Sequence, residues 1–255
     1  MPLTLQKFGT QWDIADPSPY CVKVENFLRA NNIPFDTRNF DLKTTFTMPL
    51  GKKIPYIILE DGETMGDSTL IIERLSRDRN IDMDKGLTKE QRATSKAFCT
   101  MLDEGLYWPV IYSRWQDENG WKVIKPLFFS GNPAFLANIA ASYIRMKTIR
   151  TIYAQGTGQR NQEEVYMIGA SMLKSLSDFL GQNQWFFGQN KPGLMDIWTH
   201  AFVINIIRPP IENSLKDNTL RLTNLCRHAE NFQKLFYSDK KANENTPKHL
   251  RKKAA

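Results

Sequence analysis

The sequence is poor in the residues that build metal centres and disulfide scaffolds. Its 255 residues include three cysteines and three histidines. Cys21, Cys99 and Cys226 lie far apart with no metal-ligand spacing. They give no disulfide framework and point to a reducing compartment. His200, His228 and His249 form no cluster with acids or cysteines, so no metal is assigned. Long apolar runs are missing too. The most apolar stretch, residues 197–207, is broken by Thr199, His200 and Asn205, so no transmembrane segment is expected. The N-terminus lacks a basic region followed by an apolar run, so it does not read as a secretory signal. No internal repeat is visible.

A one-signed charge field is also lacking over most of the chain. The total is +7, from 34 Lys plus Arg and 27 Asp plus Glu. Residues 240–255 hold six basic residues and one acid, which leaves +2 for residues 1–239. The body is near neutral and the surplus sits in a terminal segment. Six cations without interleaved aromatics or a reading helix make a poor case for nucleic acid, and no nucleic-acid partner is expected. Weak contact of this tail with an anionic surface stays open.

What the chain does have is a change of texture near residue 85. Before it, short β-like runs alternate with helical ones. Residues 3–8, 35–40 and 54–59 read as strands, and 64–65 as a hairpin return after Glu60-Asp61-Gly62. Pro19 suits the first position of a helix, in which Cys21, Val24 and Leu28 recur at helical spacing. Ser68 suits the cap of a helix over 69–79. After residue 85 nearly everything reads as helix: 88–116, opened by a Thr88/Gln91 capping pair, then 133–153, 162–181, 194–207 and 218–236. Residues 239–255 read as a mobile tail.

Three motifs stand where chemistry is easily placed. Ser18-Pro19-Tyr20-Cys21 sits between the first strand and the first helix. A hydroxyl ahead of a helix lies beside unpaired backbone donors and the positive end of the dipole, where it can stabilise an anion. Ser18 also serves as a plain cap, and Cys21 reads equally as a small core residue. Lys53-Ile54-Pro55-Tyr56 stands at the start of the third strand. Pro55 is either a cis proline or an ordinary strand-start proline. Gly66-Asp67-Ser68 ends the fourth strand, either as an anion-binding helix start or as a simple cap.

The β-α-β, β-β-α order resembles the thioredoxin arrangement. Such a unit followed by an all-helical one resembles the soluble glutathione transferases. Ser18-Pro19-Tyr20-Cys21 is similar to the glutaredoxin motif Cys-Pro-Tyr-Cys with serine in place of the nucleophilic cysteine. Residues 18–35, 106–121, 154–158, 163–166 and 186–196 together resemble the failed-axon-connections and metaxin-like branch of that superfamily. The fold class implied is α/β plus all-α: a thioredoxin-like domain over 1–82, an all-helical domain over 87–238 and a basic tail over 239–255. One departure is Gly193. Many transferases carry Ser or Thr three residues before the aspartate matching Asp196, as a capping box for a buried helix.

The resemblance implies glutathione as co-substrate and no metal. Ser18 would be catalytic, donating a hydrogen bond to the glutathione thiolate. The main chain of Ile54, set by Pro55, would pair with the cysteinyl backbone. Asp67 and Ser68 would hold the γ-glutamyl end, and Lys53 or Lys52 the glycyl carboxylate. Tyr20, Tyr107, Tyr112 and Trp115 would border a pocket for a small electrophile, although aromatics at helical spacing also read as core. Arg114 reads as either a structural or a substrate residue. Homodimerisation and a cytoplasmic location are expected. The competing expectation is a non-catalytic, metaxin-like interaction protein.

Overall fold

The computed structural model describes residues 2–40, 53–129 and 134–244. Strands β1 (Leu3–Lys7), β2 (Phe35–Asn39), β3 (Tyr56–Ile58) and β4 (Thr64–Gly66) form one mixed sheet in the order β2-β1-β3-β4. β1 runs parallel to β2, with Leu3 opposite Phe35, and antiparallel to β3, with Leu5 opposite Ile57. β4 returns antiparallel to β3. All five residues of β1 are buried, as expected for a central strand covered on both faces. β3 begins at Tyr56, two residues after the expected start. Pro55 precedes it and has no N–H to give to a ladder.

Helix α1 (Pro19–Ala30) carries Pro19 in its first turn. It buries Val24, Phe27 and Leu28 but also Lys23, Glu25 and Asn26. Charged residues are tolerated there because α1 is wedged between the sheet unit and the helical unit, where each finds a partner. Helix α2 (Ser68–Asp78) completes the first unit. Its cap is Asp67, whose Oδ1 accepts the N–H of Thr69 at 2.9 Å and Leu70 at 3.2 Å. Ser68 is therefore the first helical residue and not the cap.

The helical unit opens with α3 (Lys89–Thr100), held by the Thr88/Gln91 capping box. The expected single helix over 88–116 is interrupted. Residues Met101–Leu106 form a wider π-helical turn, with the Tyr107 N–H bonded to Leu102 O, before α4 (Tyr107–Trp115) resumes. Pro109 cannot donate to Gly105, four residues back, which favours a break of the regular ladder at this point. An unexpected helix, α5 (Glu118–Phe129), follows. Gly120 permits it, because a Cβ there would stand 1.7 Å from Ser113 O. Gly120 and the internal Pro126 hide this helix in the sequence pattern.

The remaining helices are α6 (Ala134–Gln155), α7 (Gln162–Leu180), α8 (Leu194–Ile207), α9 (Ser214–Arg221) and α10 (Thr223–Glu244). The expected helix over 218–236 is two helices broken at Leu222. The last one continues to Glu244, so the first part of the expected tail is helical. Residues 245–255 lie outside the described residues.

α8 is the centre of the helical unit, buried from Met195 to Ile206. Asp196 accepts the N–H of Gly193 at 2.8 Å and Phe186 at 3.0 Å, and meets His228 Nε2 at 2.8 Å. The side-chain cap that Gly193 lacks comes from the connection between the two units. Asp84 Oδ1 accepts the Leu194 N–H at 2.9 Å. A Cβ on residue 193 would meet that same oxygen at 2.8 Å. Glycine at 193 is thus the condition for capping from outside the helix.

Candidate functional site

A cleft of about 520 Å³ opens between the two units. The sheet unit contributes Tyr20 from α1, then Lys53, Ile54 and Pro55, then Asp67, Ser68 and Thr69. The helical unit contributes Asp103 and Glu104 from the π turn and Tyr107, Trp108 and Ile111 from α4. Lys147, Thr148, Thr151 and Ile152 of α6 close the far side. The Ile54–Pro55 peptide is cis. Asp67 holds φ at 69°, in the left-handed region, a conformation that concentrates at ligand clamps and active sites. Its Oδ1 is used for capping, and no hydrogen bond to Oδ2 occurs among the described residues.

Ser18 stands differently from its expected neighbours. It occupies the cap position of α1, yet its side chain caps nothing. Its carbonyl accepts the Val22 N–H and its own N–H goes to Asp16 Oδ1 at 2.8 Å. Ser18 is half-buried and is not among the residues lining the cleft. Cys21 is fully buried, and burial pushes its thiol far up, above the range in which a thiolate forms.

Tyr20 and Tyr107 do line the cleft, with ring centres 4.9 Å apart. The Tyr20 hydroxyl donates to Asp103 O at 2.8 Å, and burial, then Asp103, raises its pKa. The Tyr107 hydroxyl has no hydrogen-bond partner among the described residues; burial raises its pKa and the nearby Arg114 guanidinium opposes that shift. Tyr112 and Trp115 do not belong there. Tyr112 is buried edge-on against Tyr166 at 5.9 Å. Trp115 lies about 12 Å further along the helix than Tyr107, beneath α5, against Trp121 at 5.7 Å. Both expected pocket residues are packing residues, because α5 and α7 cover that part of α4. Lys53 sits exposed at the cleft; Lys52 lies outside the described residues.

The floor of the cleft is a buried ion pair that sequence reasoning missed. Lys23 Nζ donates to Asp103 Oδ2 at 2.8 Å, Oδ1 at 3.0 Å and Thr69 Oγ1 at 3.1 Å. It sits 4.4 Å from the Trp198 ring centre, and Trp198 Nε1 donates to Asp103 Oδ2 at 2.8 Å. One carboxylate thus ties α1, α2 and α8 to the π turn. Burial lowers the Lys23 pKa and Asp103 opposes that shift. A lysine amid apolar helix positions carries no sequence signal that separates it from a solvated one.

The loop that carries Ser18 is anchored by a second buried cluster. Asp16 accepts the N–H groups of Phe8, Gly9 and Ser18, each at 2.8 Å. Its burial outweighs these bonds and raises its pKa to about 6. Arg114 is buried and donates to Pro17 O, Asn205 O and Asn205 Oδ1. Of the two expectations for Arg114, the structural one holds. Among the described residues no group of three or more His, Cys, Asp or Glu is placed to hold a metal ion. No described helix is long and apolar enough to cross a membrane.

Comparison with known proteins agrees with this geometry. A model of the glutathione S-transferase N-terminal domain matches residues 19–120, and one of the C-terminal domain matches residues 169–232. The isoprene-epoxide glutathione S-transferase of Rhodococcus sp. (strain AD45) is 34% identical over 190 residues, 73% of this chain and 79% of that protein. Failed axon connections of Drosophila melanogaster is 29% identical over 236 residues, 87% of this chain and 55% of that protein, so the chain spans about half that relative's length. Metaxins of animals align at 20–26% identity. The solved glutathione S-transferase of Methylobacterium radiotolerans, in complex with glutathione sulfonate, superposes with a TM-score of 0.59 at 16% identity, over 91% of both chains. That last likeness concerns the fold alone.

Proposed function

Since the chain belongs to the glutathione S-transferase superfamily, in the branch of failed axon connections and the metaxins, we propose that its cleft binds glutathione and activates the thiol for attack on a small electrophile. One observation carries the reading: Ile54-Pro55, Asp67-Ser68, Tyr20 and Tyr107 converge on one cleft between the two units. The γ-glutamyl carboxylate lies at the α2 N-terminus by Ser68, where backbone donors and the dipole favour an anion. Its ammonium lies at Asp67 Oδ2. The cysteinyl backbone pairs with Ile54 as an added strand, and Lys53 takes the glycyl carboxylate. The electrophile occupies the side formed by Tyr107, Trp108, Ile111 and Thr151.

Two hydroxyls compete for the thiolate. Ser18 has the position ahead of α1, and Tyr107 lines the cleft with no hydrogen bond to its hydroxyl among the described residues. A stabilised thiolate held beside its target gains from proximity and from preorganised donors. Loss of one such donor costs about 10²–10³ in kcat. Turnover of an epoxide or aryl halide by the Ser18→Ala and Tyr107→Phe variants assigns the role: the variant with the large kcat loss carries it, and two unaffected variants reject both.

Glutathione titration followed by thermal shift tests the binding itself. Saturation near 100 Kd stabilises the folded state by about 2.7 kcal/mol. An unchanged Tm at millimolar glutathione would instead favour the non-catalytic interaction module. The location of Ser18 outside the cleft lining is the observation on that side. A cytoplasmic, homodimeric protein is part of the proposal.

A further inference from the structure

We propose that the α5–α6 hairpin is a docking surface for an anionic lipid bilayer. Two features of the hairpin coincide. Its one acid is Glu118, the first residue of α5, which pairs with Arg145 at 2.6 Å, while Lys122, Lys125, Lys147 and Arg150 are basic. The same hairpin displays an apolar row to solvent: Phe135 is 74% exposed, Ile139 54%, Tyr143 60%, Met146 41% and Tyr153 59%.

The row is continuous. At 100° per residue these five side chains and exposed Arg150 fall within an arc of about 80°, spread over about 27 Å of helix. Lys147 borders the arc. The opposite side of α6 buries Ala141 and Ile152 and anchors Arg145 to the carbonyls of Trp115 and Gln116 and to Glu118. The exposed row is therefore surplus to the fold. Aromatic and aliphatic groups flanked by cations, on a helix that lies flat, match the boundary between acyl chains and anionic headgroups.

Charge separates this occupant from a second copy of the chain. In a two-fold contact the row would meet itself. Both copies would then bring the same surplus of cations, with no acid among residues 119–155 of either to pair with them. An anionic bilayer complements the same charges. The terminal segment 245–255 is also basic, so the test must distinguish the two.

The full-length protein is co-sedimented with vesicles of phosphatidylcholine and phosphatidylserine in roughly a two-to-one ratio, and with phosphatidylcholine alone. Each cation near an anionic surface contributes about fivefold in partitioning, about 1 kcal/mol. Arg150→Glu, a change of two charges, should weaken binding to the anionic vesicles about twentyfold, and salt should weaken the wild type. Ile139→Ser with Tyr143→Ser should abolish it. Both sites are exposed, and an unchanged Tm shows that the double variant is folded. No binding by the wild type overturns the proposal. So does binding that survives the double variant, which assigns the contact to the basic terminal segment. A dimer in sedimentation equilibrium that the double variant dissociates makes a second copy the occupant and also overturns it.

Discussion

Replacing Asp103 by asparagine removes the carboxylate from the floor of the cleft while keeping its shape. Lys23 has 0% side-chain exposure and Asp103 13%. Breaking a buried ion pair by removing one partner costs about 3–5 kcal/mol, because a desolvated charge is left behind. Two features soften the loss here. The ammonium keeps the faces of Trp198 and Tyr20, at 4.4 and 5.2 Å, and each such contact is worth about 0.5–2 kcal/mol. It also keeps Thr69 Oγ1. The expected loss is therefore about 2–4 kcal/mol, a fall in Tm of roughly 5–15 °C for a chain of this size. The pH dependence has a definite sign. Burial lowers the folded-state pKa of Lys23 below its ordinary value and Asp103 raises it again. Without Asp103 the folded pKa drops further, so the unfolded chain binds more protons over a wider range and stability rises with pH. The gap between wild type and variant should narrow from pH 7 toward 10 in urea melts. Lys23→Met on the Asp103→Asn background should recover part of the loss, a coupling that a double-mutant cycle reads directly. A loss under about 1 kcal/mol, or a gap independent of pH with no recovery in the double variant, would refute the account of the buried pair.

Asp16 should make stability fall as pH rises through the acid range. Its pKa is raised from 3.8 to about 6 by burial, so the folded protein holds the proton more tightly than the unfolded chain. That contribution is full below about pH 4 and lost above about pH 6, at most about 3 kcal/mol. Stability measured relative to Asp16→Asn should decline between these limits, and a flat difference sinks the assignment. Gly193→Ala should cost about 1–3 kcal/mol, because its Cβ would stand 2.8 Å from Asp84 Oδ1. Asp84→Ala should cost about 1 kcal/mol through the lost cap. On the Asp84→Ala background, Gly193→Ala should become nearly neutral, which calorimetric Tm values can check.

Legibility differed from element to element. The sheet strands showed as β-dense runs bounded by turn residues, and α8 as an apolar stretch. These signals are local, because strand and helix periodicity and cap chemistry act within a few residues. The break in the long helix at 101–106 and the helix at 118–129 did not show. The first turns on a proline that removes a donor, and the second on a glycine whose backbone touches Ser113 O. The second is settled by a contact between segments. For the same reason Tyr112 and Trp115 read no differently from Tyr107, until α5 and α7 covered them.

The sequence by itself determined the two-part architecture, its superfamily and the residues around the α2 N-terminus, since each is written in local pattern or short motifs. Only the tertiary structure decided which of those residues share a cleft. It set Ser18 aside from the lining and brought Tyr107 in. It also paired Lys23 with Asp103, eighty positions apart, and let Asp84 cap a helix 110 positions away. A buried charge is tolerated where a distant segment pairs with it or satisfies its hydrogen bonds. That partner is set by packing, not by neighbours along the chain.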